Sequence, residues 1–103
     1  MDVGSIIKKL RVRAGLSQGQ LAEACELSQA YLSQIEKNKR DAHISSLKKI
    51  SNVLEIPLPI LLFLSVDETD IPEQKREAFK ILFPSVRAFL MELFPKSMEV
   101  IKS

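Results

Sequence analysis

Four side chains within one short stretch of the chain could read the edges of DNA bases. Leu32 and Ile35 are apolar and three residues apart, so the run that follows Ser28 is expected to form a helix with these two side chains inward. The outer side of that helix would carry Gln29, Ala30, Ser33 and Gln34. An exposed face with glutamines and few acids suits the major groove, where glutamine can bond an adenine edge through two hydrogen bonds. The pattern therefore predicts a helix that reads DNA.

Capping signals predict the elements that position this helix. Ser17 suits the N-cap of a preceding helix, and Gln20, three residues later, completes a capping box. The apolar face of that preceding helix would consist of Leu21, Ala22 and Cys25. Residues 26 and 27 would form the turn, and Ser28 suits the N-cap of the next helix. Residues 16–40 therefore predict two short helices joined by a tight turn.

The composition favours one small, all-helical protein. The chain has 103 residues, of which 46% are apolar, with no Trp and one Tyr. This is enough for one compact domain with an aliphatic core. Apolar residues recur at steps of three and four along nearly the whole chain, and alternating β-branched runs are nearly absent. We therefore expect an all-α fold.

Several features bear on the cellular setting. The apolar run closest to a membrane span, residues 58–64, is too short to cross a bilayer. Residues 1–7 lack the basic start and apolar centre of a secretory leader. The single cysteine cannot form an internal disulfide, which fits a reducing compartment. We expect a cytoplasmic protein without membrane contact.

The charge is unevenly distributed along the chain. The net charge is only +2, but residues 1–49 carry nine Lys or Arg and five Asp or Glu, against six and eight in the remainder. The basic side chains lie on both sides of the two-helix motif, where DNA phosphates would lie. A scattered basic face is also common on ordinary solvated surfaces, so charge alone does not decide the function.

Three further helices are expected to complete the amino-terminal half. The first covers about residues 5–14, with Gly15 as its C-cap. Ser45 is expected to cap a fourth helix through about Leu54, and prolines at 57 and 59 suit the first turn of a fifth. The residues expected to face the core are Ile6, Ile7, Leu10, Leu47, Ile50, Val53 and Leu54. Residues 1–65 would thus form one five-helix unit.

Residues 66–70 are short, acidic and polar, and we interpret them as a linker. Thr69 or Asp70 could cap a new helix, with Pro72 and Glu73 in its first turn. Pro84 removes one helical hydrogen bond, so residues 71–103 are expected to form two helices or one kinked helix. Pro95 would end this carboxy-terminal segment, with a frayed tail beyond it.

The carboxy-terminal segment carries an apolar stripe at helical spacing. Its members are Phe79, Leu82, Phe83, Val86, Phe89, Leu90, Leu93 and Phe94. The stripe could cover the chain's own five-helix unit or pair with the same segment of a second molecule. Because a stripe of this size would leave a large apolar patch on a monomer, we favour a symmetric dimer.

Residues 4–63 resemble the phage repressor and Cro-type helix-turn-helix family, also called the xenobiotic-response-element family. The matching segments are IIKKLRVRAGLSQGQLAEA, LSQAYLSQIEKNKR and SLKKISNVLEIPLPILL. The resemblance implies a five-helix domain whose third helix enters the major groove. It also places base contacts at the four outer residues of that helix, and it implies a bacterial or phage origin.

The resemblance suggests roles for several other residues. Candidate phosphate contacts are Ser17, Gln18, Tyr31, Lys37, Asn38, Lys39 and Arg40. Tyr31 could instead cover the junction between helices. Arg11 and Glu36 match a structural ion pair of the family, which contributes only about 0–1 kcal/mol if exposed.

The sequence departs from the family pattern at two positions. Glu26 occupies a turn position where many members have Gly, because the backbone there prefers a left-handed conformation. A non-Gly residue costs roughly 1 kcal/mol there, which the turn can tolerate. Ala30 replaces a polar residue and leaves a methyl group to meet thymine, so the target sequence does not follow from the chain.

These observations predict a transcriptional regulator, and more specifically a repressor that binds a palindromic operator as a homodimer. Dimerisation would place two recognition helices about one DNA turn apart. One alternative is an antitoxin-like component that binds a toxin or antagonist protein through its carboxy-terminal helices and regulates its own operon. Another is an interaction module that has lost DNA binding, but Gln18, Gln29 and the basic loop argue against it.

Catalysis and a cofactor are not expected. With His43 as the only histidine and Cys25 as the only cysteine, the sequence has no tetrahedral set of metal ligands. The serines are better explained as caps, and no Gly-rich phosphate loop occurs among three glycines.

Overall fold

Regular structure in residues 1–93, the part of the chain that the computed structural model describes, is entirely helical. The helices are α1 (Val3–Arg13), α2 (Gln18–Ala24), α3 (Gln29–Glu36), α4 (Ile44–Val53), α5 (Leu58–Leu64) and α6 (Arg76–Leu93). Two 3-10 turns, Glu68–Asp70 and Glu73–Lys75, lie between α5 and α6. The all-α prediction is therefore confirmed.

The core forms where α1 to α5 meet. Each of these helices contributes one side chain with no exposed surface, namely Ile7, Leu21, Leu32, Ile50 and Leu61. Burying an aliphatic side chain of this size contributes about 1.5–3 kcal/mol relative to exposing it. Because α1 packs on both α3 and α5, and α2 packs on α3 and α4, this core holds the two-helix motif in place.

α1 begins two residues earlier than predicted because Asp2 caps it. The Asp2 carboxylate accepts hydrogen bonds from the Ser5 backbone N–H at 3.2 Å and from the Ser5 hydroxyl at 2.8 Å. Hydrogen bonds from Ser5 and then Asn38 hold the pKa of Asp2 below its usual value. At the other end, Gly15 has a φ of +76°, so the predicted glycine C-cap is present.

The predicted N-cap of α4 is wrong. The helix begins at Ile44, so Ser45 lies in its first turn and His43 is the N-cap, without a side-chain capping bond. Instead, the Tyr31 hydroxyl accepts a hydrogen bond from the His43 backbone N–H at 3.0 Å. A contact between distant segments sets this helix start, and local capping preferences do not reveal such a contact.

Residues 66–70 are more ordered than a simple linker. The Asp67 carboxylate accepts a hydrogen bond from the Thr69 backbone N–H, and the Asp70 carboxylate accepts one from the Asp67 N–H, both at 2.9 Å. This reciprocal pair stabilises the first 3-10 turn, so neither Thr69 nor Asp70 caps α6. Pro72 and Glu73 are also excluded from the first turn of α6, because Glu73 begins the second 3-10 turn and Pro72 is the N-cap of that turn.

α6 is one helix, with Pro84 in its interior. Of the two alternatives that the sequence left open, two separate helices are therefore excluded over residues 76–93. Because proline has no N–H, the Lys80 carbonyl loses its usual helical partner. The predicted end at Pro95 and the tail from residue 96 lie outside the described residues.

The apolar stripe of α6 divides into an inner and an outer part. Leu90 is 9% exposed and belongs to the chain's own core, and Phe83 stacks on Phe63 at 5.4 Å between ring centroids. Leu90 therefore belongs to the protomer interior, which corrects its assignment to an interface between molecules. Leu82 and Phe89, by contrast, are 63% and 59% exposed.

Two other members of the stripe, Val86 and Phe79, are partly exposed. Val86 is 40% exposed, and Phe79 is half-buried and stacks on Phe83 at 4.6 Å between centroids. Phe94 and the side chain of Leu93 lie outside what the structure describes.

α1 and the end of α3 approach so closely that only glycine fits between them. A Cβ atom on Gly4 would lie 2.2 Å from the Ile35 carbonyl oxygen and 2.8 Å from that of Glu36. Both are backbone atoms, which cannot turn away as a flexible side chain can. Gly4 thus fixes the end of α3 against α1.

We predict that Gly4→Ala lowers the free energy of unfolding by about 1–3 kcal/mol, because the new methyl group forces α1 and α3 apart. The matched control is Gly19→Ala, where the nearest atom to a Cβ is 3.5 Å away. That variant should gain up to about 1 kcal/mol from helix propensity. Urea denaturation measures both, and equal stability of the two variants would contradict the close approach at Gly4.

Candidate nucleic-acid interface

The outer face of α3 is open, as the sequence predicted. Leu32 and Ile35 are 0% and 2% exposed and point into the core. The four candidate base contacts lie on the other side. Gln29, Ala30 and Gln34 are exposed, and Ser33 is half-buried. The helix therefore presents amide, methyl and hydroxyl groups on one accessible surface.

The turn between α2 and α3 sets the direction of this surface. Glu26 has a φ of +58°, the left-handed conformation expected at this position. The Leu27 backbone N–H donates to the Ala22 carbonyl at 2.9 Å and closes the turn. Ala22 and Cys25 are 2% and 1% exposed, so small side chains let the two helices pack closely. Burial raises the pKa of the Cys25 thiol, which keeps it protonated and fits a structural role.

Both predicted caps of the motif are present. The Ser17 hydroxyl oxygen accepts from the Gln20 backbone N–H at 3.0 Å, and the Gln20 side-chain oxygen accepts from the Ser17 N–H at 2.8 Å. The Ser28 hydroxyl oxygen accepts from the Tyr31 N–H at 3.1 Å. Ser17 is exposed beside α2, and a hydroxyl that accepts one bond still has a proton to donate to a phosphate.

A buried ion pair joins the motif to α1. Arg11 Nε and Nη2 donate to the two Glu36 carboxylate oxygens at 2.7 and 3.0 Å, and Arg11 Nη1 donates to the Leu16 carbonyl at 2.8 Å. The two side chains are only 10% and 2% exposed. The pair is therefore not the exposed kind that contributes about 0–1 kcal/mol. Removing one partner of a buried pair typically costs about 3–5 kcal/mol.

Gln18 also belongs to this network. Its side-chain Nε2 donates to a Glu36 carboxylate oxygen at 3.1 Å. Because a carboxylate only accepts hydrogen bonds, the nitrogen end of the amide faces Glu36. The same nitrogen carries a second hydrogen, so a contact from Gln18 to a phosphate stays compatible with the structure.

The loop after α3 presents the basic side chains. Lys37, Lys39 and Arg40 are all exposed. The Arg40 guanidinium lies 4.9 Å from the centre of the Tyr31 ring, and the Tyr31 hydroxyl holds the His43 backbone. Tyr31 therefore covers the junction between α3 and the loop, which is one of its two predicted roles. Its contact with a phosphate stays a prediction.

Asn38 has a structural role beside its predicted phosphate contact, which stays a prediction because the residue is exposed. Its backbone is left-handed, with a φ of +56°. Its side-chain oxygen accepts from the Gly4 N–H at 3.0 Å, and its side-chain nitrogen donates to the Asp2 carboxylate at 2.6 Å. The side chain thus connects the end of α3 to the start of α1. An Asn directly after a helix is a known C-terminal signal, which could have suggested this role.

Sequence reasoning also missed the two glycines and the aspartate that position the interface. Gly4 and Asp2 fix the start of α1 against α3, and Gly19 lies beside the Gln29 side chain. Their roles depend on contacts between segments that are distant in sequence.

Among residues 1–93, no three His, Cys, Asp or Glu side chains are arranged to hold a metal ion. No helix in this range is long and apolar enough to cross a membrane.

Comparison with known proteins identifies the family. The family model described as helix-turn-helix matches residues 7–61, more than half of the chain. The chain therefore belongs to the Cro/C1-type helix-turn-helix family of DNA-binding transcription regulators.

Individual relatives agree with this assignment. The chain is 35% identical over 77 residues to the immunity repressor protein of Bacillus phage phi105, a match that covers 75% of this chain and 51% of that repressor. The chain thus spans about half the length of that relative.

Two solved structures are also similar. A complex of the biofilm master regulator SinR with DNA has 38% identity and a TM-score of 0.56, and the match covers 58% of this chain and 97% of that chain. A complex of SinR with SinI has 28% identity and a TM-score of 0.58, with 88% and 93% covered.

We predict that replacing one partner of the Arg11–Glu36 pair destabilises the fold at least as much as replacing both. Arg11→Met or Glu36→Leu alone should lower the free energy of unfolding by about 3–5 kcal/mol, because each leaves an unpaired charge in the interior. The double variant should be at least as stable as either single variant. Chemical denaturation of the three proteins and the wild type gives the coupling energy. Single variants that each cost less than about 1 kcal/mol would show that the pair behaves as an exposed one.

Proposed function

We propose that the protein is a sequence-specific repressor of transcription that binds a palindromic operator as a homodimer. The observation that carries this proposal is the open polar face of α3, bordered by Ser17 and Gln18 on one side and by the basic loop on the other. It needs no cofactor for this activity, and it would act in the cytoplasm, where bacterial or phage operator DNA lies.

The α3 side chains would read bases in the major groove. Gln29 and Gln34 can each donate and accept, which matches the N6 and N7 atoms of adenine. Ala30 offers a methyl group to the methyl group of thymine, and Ser33 can bond to several bases. Because Leu32 and Ile35 anchor α3 in the core, these side chains would enter the groove from a rigid support.

The surrounding side chains would hold the phosphates without reading sequence. Lys37, Lys39 and Arg40 supply positive charge, and Ser17, Gln18 and Tyr31 supply neutral donors. Asn38 bonds to Gly4 and Asp2, but it is exposed and its amide nitrogen carries a second hydrogen that could reach a phosphate. Arg40 is already placed over the Tyr31 ring, so less of its side-chain freedom is lost on binding.

The outer part of the α6 stripe supports the homodimer. Leu82 and Phe89 are large, apolar and more than half exposed, and Val86 lies between them at helical spacing. A symmetric contact through these residues would bury them on both molecules. It would also present two α3 helices to successive turns of the major groove, about 34–36 Å apart.

A partner protein is the second candidate for the α6 surface, and one observation favours it. A mainly apolar groove of about 290 Å³ runs along α6 and includes two basic side chains. Its lining residues are Phe79, Lys80, Phe83, Pro84, Arg87 and Ala88. The similar SinR structure is a complex with SinI. In this antitoxin-like alternative, a toxin or antagonist would bind here, and DNA binding would serve autoregulation. A monomeric mass for the free protein, together with a neighbouring gene for a small toxic enzyme, would favour it over the homodimer.

We predict that removing a base contact and removing a phosphate contact affect DNA binding differently. Gln29→Ala should weaken binding to the operator selected from random DNA by about 1–3 kcal/mol and relax the preference at one base pair. Lys39→Ala should weaken binding to all sequences similarly. It should also make the slope of log affinity against log salt concentration shallower by about one. Fluorescence anisotropy at several salt concentrations measures both effects.

The matched controls for these variants are Gln74→Ala and Lys75→Ala, which change an exposed glutamine and an exposed lysine near the start of α6. Both should bind like the wild type. If Gln29→Ala and Lys39→Ala also left affinity unchanged, α3 and its loop would not be the DNA-binding surface.

For the homodimer, we predict that Phe89→Glu produces monomers, because it places a charge in the apolar contact. Operator affinity should then fall by about 10²–10⁴, since the second half-site no longer adds to binding. The control is Ile81→Glu, because Ile81 is 68% exposed but does not belong to the stripe. Sedimentation equilibrium measures the mass of each. A wild-type protein that is monomeric at micromolar concentration, or a Phe89→Glu variant that stays dimeric, would refute the proposed interface.

A further inference from the structure

Gly19 occupies a position where the backbone does not require glycine. It is the second residue of α2, within the capping box, and among residues 1–93 the only glycine with a positive φ is Gly15. Glycine is a poor helix former, so another residue would fold more readily here. What a side chain at this position would meet is therefore of interest.

That space is bordered by the side chain of Gln29. A Cβ atom on Gly19 would lie 3.5 Å from the Gln29 side-chain oxygen, 3.8 Å from the Ser17 hydroxyl oxygen and 4.0 Å from the Gln29 side-chain carbonyl carbon. These are ordinary contact distances, so a single methyl group just fits. A further carbon on the Gln29 side would overlap the amide.

We propose that Gly19 is a specificity-determining residue, which acts by leaving room for the Gln29 amide against the first turn of α2. This inference rests on the proposed function, since it assumes that Gln29 reads a base. An exposed glutamine has many rotamers, and a bidentate contact with adenine requires one orientation. A side chain larger than a methyl group at position 19 would occupy space next to the amide, so the size of residue 19 limits which rotamers Gln29 can adopt toward DNA.

The proposal predicts a graded effect of side-chain size. Gly19→Ala should leave base preference within about twofold of the wild type, because the methyl group fits. Gly19→Leu and Gly19→Val should reduce it by at least about fivefold, the lower limit for losing a bidentate contact. The quantity measured is the ratio of affinities for two duplexes. One is the selected operator, and the other has a replacement at the base pair whose preference is lost in Gln29→Ala.

Each substitution is also made in the Gln29→Ala background, which separates a positioning effect from general damage. There, Leu or Val at position 19 should change the ratio no further, because no amide remains to be displaced. Thermal unfolding followed by circular dichroism verifies that each variant is folded.

Three results would overturn the proposal. The first is an unchanged ratio in both Gly19→Leu and Gly19→Val, while Gln29→Ala lowers it. The second is an equal loss in the presence and absence of Gln29, which would indicate a disturbed α2. The third is that Gln29→Ala lowers the preference at no base pair of the operator, and only this result would also refute the proposed base contact.

Discussion

The proposed DNA-facing surface depends on the hydrogen bonds that the Glu36 carboxylate, only 2% exposed, accepts. This carboxylate accepts hydrogen bonds from Arg11 of α1 and from Gln18 of α2, while Glu36 itself is the last residue of α3. One buried charge therefore joins three helices at one point. Since an unpaired charge in the interior is strongly unfavourable, these helices cannot separate individually without exposing it or leaving it unpaired.

Close backbone packing reinforces this junction from the other side. Gly4 lets α1 approach the carbonyl groups at the end of α3, and Asn38 closes the gap with bonds to Gly4 and Asp2. The polar atoms at this end of α3 are thus satisfied within the protein. The four outer side chains of α3 take part in none of these bonds, so in the proposed function they could contact DNA without loosening the junction.

Features encoded by neighbouring residues were predictable, and features that depend on distant contacts were not. Ser17 and Ser28 cap α2 and α3 as expected, because a cap needs only a hydroxyl and a backbone N–H two or three residues away. The expected cap at Ser45 failed for the opposite reason, since Tyr31 fixes the His43 backbone from another helix. The apolar spacing of α3 was sufficient to predict its outer face, because helical periodicity determines which side is buried.

The same distinction applies to the carboxy-terminal half. The spacing of apolar residues predicted a helical stripe, but spacing alone cannot tell which molecule covers it. In the structure, Leu90 and Phe83 attach α6 to the amino-terminal unit, whereas Leu82 and Phe89 remain outside.

This arrangement has a consequence for any molecule that binds the outer stripe. Phe83 and Leu90 connect α6 to the core that holds α3, so a second molecule on Leu82 and Phe89 would be linked to α3 through these two contacts. A flexible attachment would allow contact without setting the spacing between two DNA half-sites. In the proposed homodimer, α6 would therefore link assembly to DNA recognition, because its inner residues contact the core and its outer residues contact the second molecule.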